Sequence, residues 1–240
     1  MRGSRGSRGP HAPADAPLTR DRILATAEDV FRRFSPAKAT VVDVARALGV
    51  SHAAVYRHVA SKAALRDLVV GRWVEATMPP LRAAGLRPGP APQRLRRLLD
   101  ALIAVKRRRA ADDPELFATY RTLAADAQSV VAAHVNELVG LAAMVIRSGV
   151  KEGTFRTVDP VAAGRAVVVA TSWFHHPAHA AEWADAAIDA AYNDVWQLLM
   201  DGLCVAKSRP RRRDRPPRRR APPSGRGSPR GVLRQEERSE

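Results

Sequence analysis

Residues 40–62 read TVVDVARALGVSHAAVYRHVASK. Thr40 followed three positions on by Asp43 is a capping-box start for a helix. Val41, Val44, Ala45 and Leu48 then fall on one helical face, and Gly49 can adopt the left-handed conformation that closes a helix. Ser51 caps a short helix running to about Val59, and Ser61 caps the next. Two short helices meeting at Gly49-Val50-Ser51 form a helix-turn-helix. In such a motif the second helix enters the DNA major groove while the first crosses the backbone.

That geometry gives the surrounding side chains distinct expected roles. Small residues at the start of the second helix allow close approach to base edges, and His52, Ala53 and Ala54 occupy those positions. His52 can donate to or accept from a base, and an alanine methyl can touch a thymine methyl. Thr40 and Ser51 stand at helix N-termini, where hydroxyls and free backbone N–H groups suit phosphate. Tyr56, Arg57, His58 and Lys62 follow at spacings that reach phosphates on the same strand, with Arg46 adding positive charge.

On either side of the motif the chain reads as helix. Thr19 caps a helix carrying Ile23, Ala27, Val30, Phe31 and Phe34 on one stripe, stopped at Ser35-Pro36. A fourth helix carries Leu65, Leu68, Val69, Trp73 and Ala76 and is expected to end at Pro79-Pro80. Residues 84–92 (AGLRPGPAP) read as a loop. Beyond them the spacing predicts helices over 93–110, 114–126, 128–151, from Asp159-Pro160 to about His176, and 181–204. No stretch keeps strand alternation, so the fold class is all-α.

Charge follows the same division. The chain has 240 residues and a formal net charge of +16. Residues 207–240 hold 13 basic and 4 acidic residues, and residues 18–84 hold 11 and 6, whereas 85–206 balance. The positive folded portion is therefore the one that contains the helix-turn-helix, as a polyanion partner requires. The first 17 residues and the tail are rich in Arg, Pro, Gly and Ser and are expected to be disordered. Cys204 is the single cysteine, which excludes an intrachain disulfide and fits the cytoplasm. The N-terminus has no apolar signal core, and no apolar run approaches the roughly 18 residues of a membrane helix, so no membrane partner is expected.

The segments TRDRILATAEDVF (19–31) and TVVDVARALGVSHAAVYRHVASKAAL (40–65) resemble the DNA-binding domain of the TetR family of transcriptional repressors. Tyr56, the pair Ser61-Lys62 and the order of the first four helices carry the resemblance. Ser35-Pro36 stands where the family commonly has a glycine, and Val59 where it has an aromatic residue. GVKEGTFRTVDPVAAGRAVVVATSWFHHP (149–177) resembles the stretch preceding the dimerisation helices in one branch. The resemblance implies a three-helix DNA-binding domain at 18–64 and a helical effector-binding and dimerisation domain at 65–206, between a leader (1–17) and a tail (207–240). It also implies a homodimer joined through its last two helices, a double-stranded operator, and a small molecule that binds the body and releases the DNA.

Phe117, Tyr120, His134, Met144, Trp173, Phe174 and His176 are the candidates to line an effector pocket, although residues at such spacing are commonly core. His175, His176, His179 and Glu182 form a loose cluster, but Pro177 breaks the helical register and nothing completes a metal site, so no metal or other cofactor is expected. Lys106-Arg107-Arg108-Arg109 reads as a solvated helix face. No nucleophile elbow, phosphate-binding glycine loop, cysteine pair or HExxH is present, so no enzymatic activity is expected. The segment 209–220, with 8 arginines, supports an alternative: a nucleic-acid coater without sequence preference.

Overall fold

The computed structural model describes residues 17–205. The expectations for the leader to residue 16 and for the tail lie outside them.

The N-terminal helices form where the caps place them. Thr19 accepts from Arg22 N and opens α1 (Arg20–Phe34), which buries Ile23, Leu24, Ala27, Val30 and Phe31. Phe34 departs from the expected stripe. It lies exposed with the Arg33 guanidinium 5.4 Å from its ring centre. The chain leaves α1 through Ser35 at φ 63°. This is a conformation that glycine takes freely and other residues take at a cost. α2 (Val41–Leu48) starts with the full capping box and ends at Gly49, φ 70°. The Val50 N–H reaches back to Ala45 O at 3.1 Å, closing a Schellman-type end. α3 (His52–Tyr56) stops sooner than the expected Val59. Even so, Val55 and Val59 are both buried and anchor it. α4 (Lys62–Glu75) completes this unit and buries Leu65, Val69, Val70 and Val74.

Pro79-Pro80 does not end α4. Both prolines sit in the first turn of α5 (Met78–Leu86), where a missing N–H leaves no helical bond unmade. The loop expected at 84–92 therefore shrinks to residues 87–90. α6 (Ala91–Asp112), α7 (Pro114–Asp126) and α8 (Gln128–Lys151) follow. α8 is long and apolar enough, by length and composition, to cross a membrane, which corrects the sequence expectation. Here it buries Leu138, Val139, Ala142, Val145 and Ile146 in the core of the body.

α9 (Pro160–Ala170) lies along α8. A side chain at Gly164 would stand 2.9 Å from Val139 O and 3.0 Å from Ala143 N, so the close approach of the two backbones requires glycine. α9 ends at Ala170, before the expected His176. Thr171 Oγ1 donates to Val167 O there, and three short 3₁₀ turns (Ser172–Phe174, Pro177–His179, Glu182–Ala184) lead on. α10 (Ile188–Leu203) begins later than the expected residue 181. Ile188, Tyr192 and Leu203 are buried on its inner side. Two apolar cores result, one among α1–α4 and α7, the other among α5, α6, α8, α9 and α10.

Candidate nucleic-acid interface and cavity

Local hydrogen bonding positions the surface around α3. Thr40 N donates to Asp43 Oδ2 at 2.9 Å, Thr40 Oγ1 donates to the same oxygen at 2.6 Å, and Asp43 N donates back to Thr40 Oγ1 at 3.2 Å. These bonds, with Arg46 nearby, hold the Asp43 carboxyl below the usual range, so it stays ionised and committed to the cap. Ser51 Oγ accepts from Ala54 N at 3.2 Å and Ser61 Oγ accepts from Ala64 N at 3.0 Å. Each hydroxyl thus remains at a helix N-terminus, exposed to solvent.

Most of the residues singled out around the motif stand at the surface. His52 and Ala53 are exposed on the first turn of α3, and Tyr56 is 45% exposed. The His52 and Tyr56 rings meet edge to face at 6.5 Å. Arg46, Arg57 and His58 are exposed as well. Lys62 is exposed, but its Nζ donates to Ala37 O at 2.9 Å. One of its three protons therefore steadies the α1–α2 connection. Ala54 is buried beside Val55, which does not favour the base contact expected of its methyl. An N-terminal helix turn presents only part of its circumference, and the third position of α3 points inward.

The second candidate site is a cavity of about 710 Å³ between α6, α7, α8, α9 and the first 3₁₀ turns. Of the residues singled out from the sequence, Tyr120, His134 and His176 line it. Phe117, Met144, Trp173 and Phe174 do not, and each has another partner. Phe117 packs on Tyr120 and Trp183 at 6.3 and 6.0 Å between ring centres. Met144 lies by Gly85, Phe174 packs on Tyr192, and Trp173 is exposed and stacked on His179 at 4.2 Å. His176 and His179 face each other at 6.1 Å, and among the described residues no His, Cys, Asp or Glu groups gather as a metal site.

The two most deeply placed polar residues of the cavity wall are Lys106 and His175, 5% and 6% exposed; the sequence reading placed His175 only in the loose histidine cluster and missed Lys106. A signal for Lys106 existed. It continues the apolar stripe Leu95, Leu99, Leu102 at helical spacing, so α6 turns it inward. The basic run is thus split by helix geometry rather than forming one solvated face. Arg107 pairs with Asp189, Arg108 with Asp112, and Arg109 spreads over the Trp73 ring at 5.0 Å. Burial, with Arg109 adding to it, lowers Lys106 to about 8. Burial and then Lys106 lower His134 to about 3 and His175 to about 4, so both imidazoles are neutral.

The cavity wall is also tied to the N-terminal unit. Tyr120 stacks on Trp73 of α4 at 4.8 Å, its ring inclined by 13°. Arg109 Nη1 donates to Trp73 O at 3.2 Å. Arg32 of α1 pairs with Asp113, the cap of α7, at 3.2 Å.

Residues 23–69 match the family model for bacterial regulatory proteins of the tetR family, and residues 91–196 match the tetracyclin repressor-like C-terminal domain. No curated protein matches the chain. Among solved structures, the fold is similar to SmeT, the repressor of the Stenotrophomonas maltophilia multidrug efflux pump SmeDEF: 17% identity over 81% of this chain and 93% of that one, TM-score 0.58. It is also similar to FadR from Bacillus subtilis in complex with stearoyl-CoA, with 15% identity over 77% and 99% of the two chains and a TM-score of 0.53. A protein solved in work on the molecular basis for control of antibiotic production by bacterial hormones shares 22% identity over 78% and 97%, with a TM-score of 0.53.

Proposed function

The chain is a DNA-binding transcriptional regulator of the tetR family, and from that premise we propose that it is a homodimeric repressor released from its operator by a small molecule held in the cavity. The observation that carries the reading is the solvent-facing first turn of α3, with His52 and Ala53 outward and hydroxyl, phenol and cationic groups around them. His52 and Ala53 read base edges. Thr40, Ser51, Tyr56, Arg57, His58 and Lys62 hold phosphates, the residues of 18–64 forming the DNA-binding head and 65–206 the regulatory body. The copies pair through the last helices, where Val161, Val169, Trp173 and Leu198 are 46%, 63%, 47% and 73% exposed. Two heads then address half-sites about 34–36 Å apart, one turn of DNA, or a simple variant of that spacing.

Release follows from a difference in affinity. An effector that binds better to the body conformation with misplaced heads lowers operator affinity by the ratio of its affinities for the two states. The Tyr120–Trp73 stack supports a route, because a ligand displacing Tyr120 acts directly on α4 behind the recognition helix. A similar fold with bound triclosan and another with bound stearoyl-CoA support an effector with an apolar body here.

Footprinting on DNA flanking the protein's own gene, then selection from a randomised operator library, tests the reading. His52→Ala is expected to change which bases are preferred, whereas Tyr56→Phe and Lys62→Ala weaken all sequences alike. Identical effects across the library would refute the role assignment. The same assay on the chain truncated after Ser208 addresses the tail: retained specificity supports a repressor, and loss of all binding supports a non-specific coater.

A further inference from the structure

We infer that the ligand of the cavity is an organic monoanion, a carboxylate on an apolar body, with its charged end seated at Lys106, His134 and His175. This rests on the effector reading of the same cavity and adds the chemical class.

The polar wall is one-sided. Lys106, Arg121, His134, His175 and His176 line the cavity, and no Asp or Glu does. Lys106, His134 and His175 are 5%, 7% and 6% exposed. The Lys106 ammonium has a histidine and an aromatic ring for neighbours: His134 Nε2 at 3.5 Å and the Tyr120 ring centre at 6.0 Å. Among the described residues no carboxylate lies within ion-pair distance of it. His134 Nδ1 is buried and lacks a hydrogen-bond partner.

A buried ammonium without a counter-ion is costly, and a protein keeps one where something else supplies the opposite charge. A bound carboxylate does so and accepts charge-assisted hydrogen bonds. Apart from Thr122 and Ser172, the rest of the wall is made largely by apolar residues such as Val131, Val135, Leu138 and Val168, so the body of the ligand is apolar too. The volume of about 710 Å³ suits a molecule of ordinary cofactor or drug size. Charge selects the monoanion. Lys106, lowered only to about 8, is still cationic at neutral pH, while His134 and His175 are neutral, leaving one deeply buried positive charge to match.

The test uses matched probes on the full-length protein at neutral pH: decanoate against decan-1-ol, and 2-naphthoate against 2-naphthylmethanol, measured by calorimetry. Each carboxylate is expected to bind roughly tenfold to hundredfold more tightly than its alcohol. Lys106→Met is expected to erase that preference while alcohol binding persists, which also shows the variant to be folded. The inference is overturned if the alcohols bind as tightly as the acids, if neither carboxylate binds, or if the preference survives in Lys106→Met. Operator binding by the same preparations separates the two readings. Lysine-dependent carboxylate binding without any specific DNA binding refutes the repressor and leaves the anion site. Specific DNA binding released by the alcohols alone refutes the anion site and leaves the repressor.

Discussion

Replacing Lys106 by methionine should stabilise the ligand-free protein, the reverse of what a buried substitution ordinarily does. Lys106 is lowered from 10.5 to about 8 by burial first and by Arg109 second. At about 1.36 kcal/mol per pH unit, that difference is a penalty of about 3 kcal/mol on holding the charge inside. The sign follows from linkage. The folded state binds the proton less tightly than the unfolded state, so the penalty is complete below about pH 8, shrinks above it and vanishes beyond pH 10.5. Methionine keeps the unbranched length and apolar stem, at a repacking cost below about 1.5 kcal/mol. Losing the long contact to His134 takes back part of the gain, leaving a net of about 2 kcal/mol. Urea unfolding of both proteins at one protein concentration measures it, first at neutral pH and then near pH 10. The advantage of the variant should be largest at neutral pH and fade in alkali. A variant less stable than the parent by the same amount at both pH values would refute the reasoning, since Lys106 would then be acting through packing and not through an uncompensated charge.

Three further outcomes are expected. Acid should destabilise the protein well before its carboxylates titrate: His134 and His175 are lowered to about 3 and about 4, so below the ordinary 6.5 the unfolded chain takes up protons that the folded one refuses. From neutral pH to about pH 5 the loss should be roughly 3–4 kcal/mol, and about half that in His134→Gln; equal losses in the two proteins would contradict the assignment. Ser35→Gly should raise stability by about 1 kcal/mol in a thermal melt, because Ser35 sits at φ 63°, and an unchanged midpoint would show that the turn is unstrained. Trp73→Leu removes the stack with Tyr120 and the platform for Arg109. Operator binding without ligand should change little, while ligand-driven release weakens by roughly fivefold; unaltered release would place the coupling elsewhere.

Sequence alone determined the elements whose causes are local. Thr19, Thr40, Ser51, Ser61, Asp113 and Asp159 each cap the helix that follows. Such a bond spans two or three residues, so it is legible in a short string. The Gly49 corner and the inner faces of α1 and α2 were readable for the same reason, since a helix returns to one side every three or four positions. The reading failed where a local sign had two outcomes. Pro79-Pro80 ends one helix or starts another, and only the packing of Met78 and Leu81 into the core decides for the start.

The tertiary structure alone decided the cavity. Lys106, His134 and His175 come from α6, α8 and the turn after α9, and Lys106 and His134 are 28 positions apart. No periodicity links residues so distant, so which aromatic residues face the opening and which pack elsewhere emerges only when the helices dock. Ala54 shows the same limit on a smaller scale: on a five-residue helix, the side that faces away from solvent is set by the elements beneath it. Burial is a property of neighbours. A lysine inside a run of four basic residues becomes a buried cation because α6 is held by α7 and α8 with that face inward.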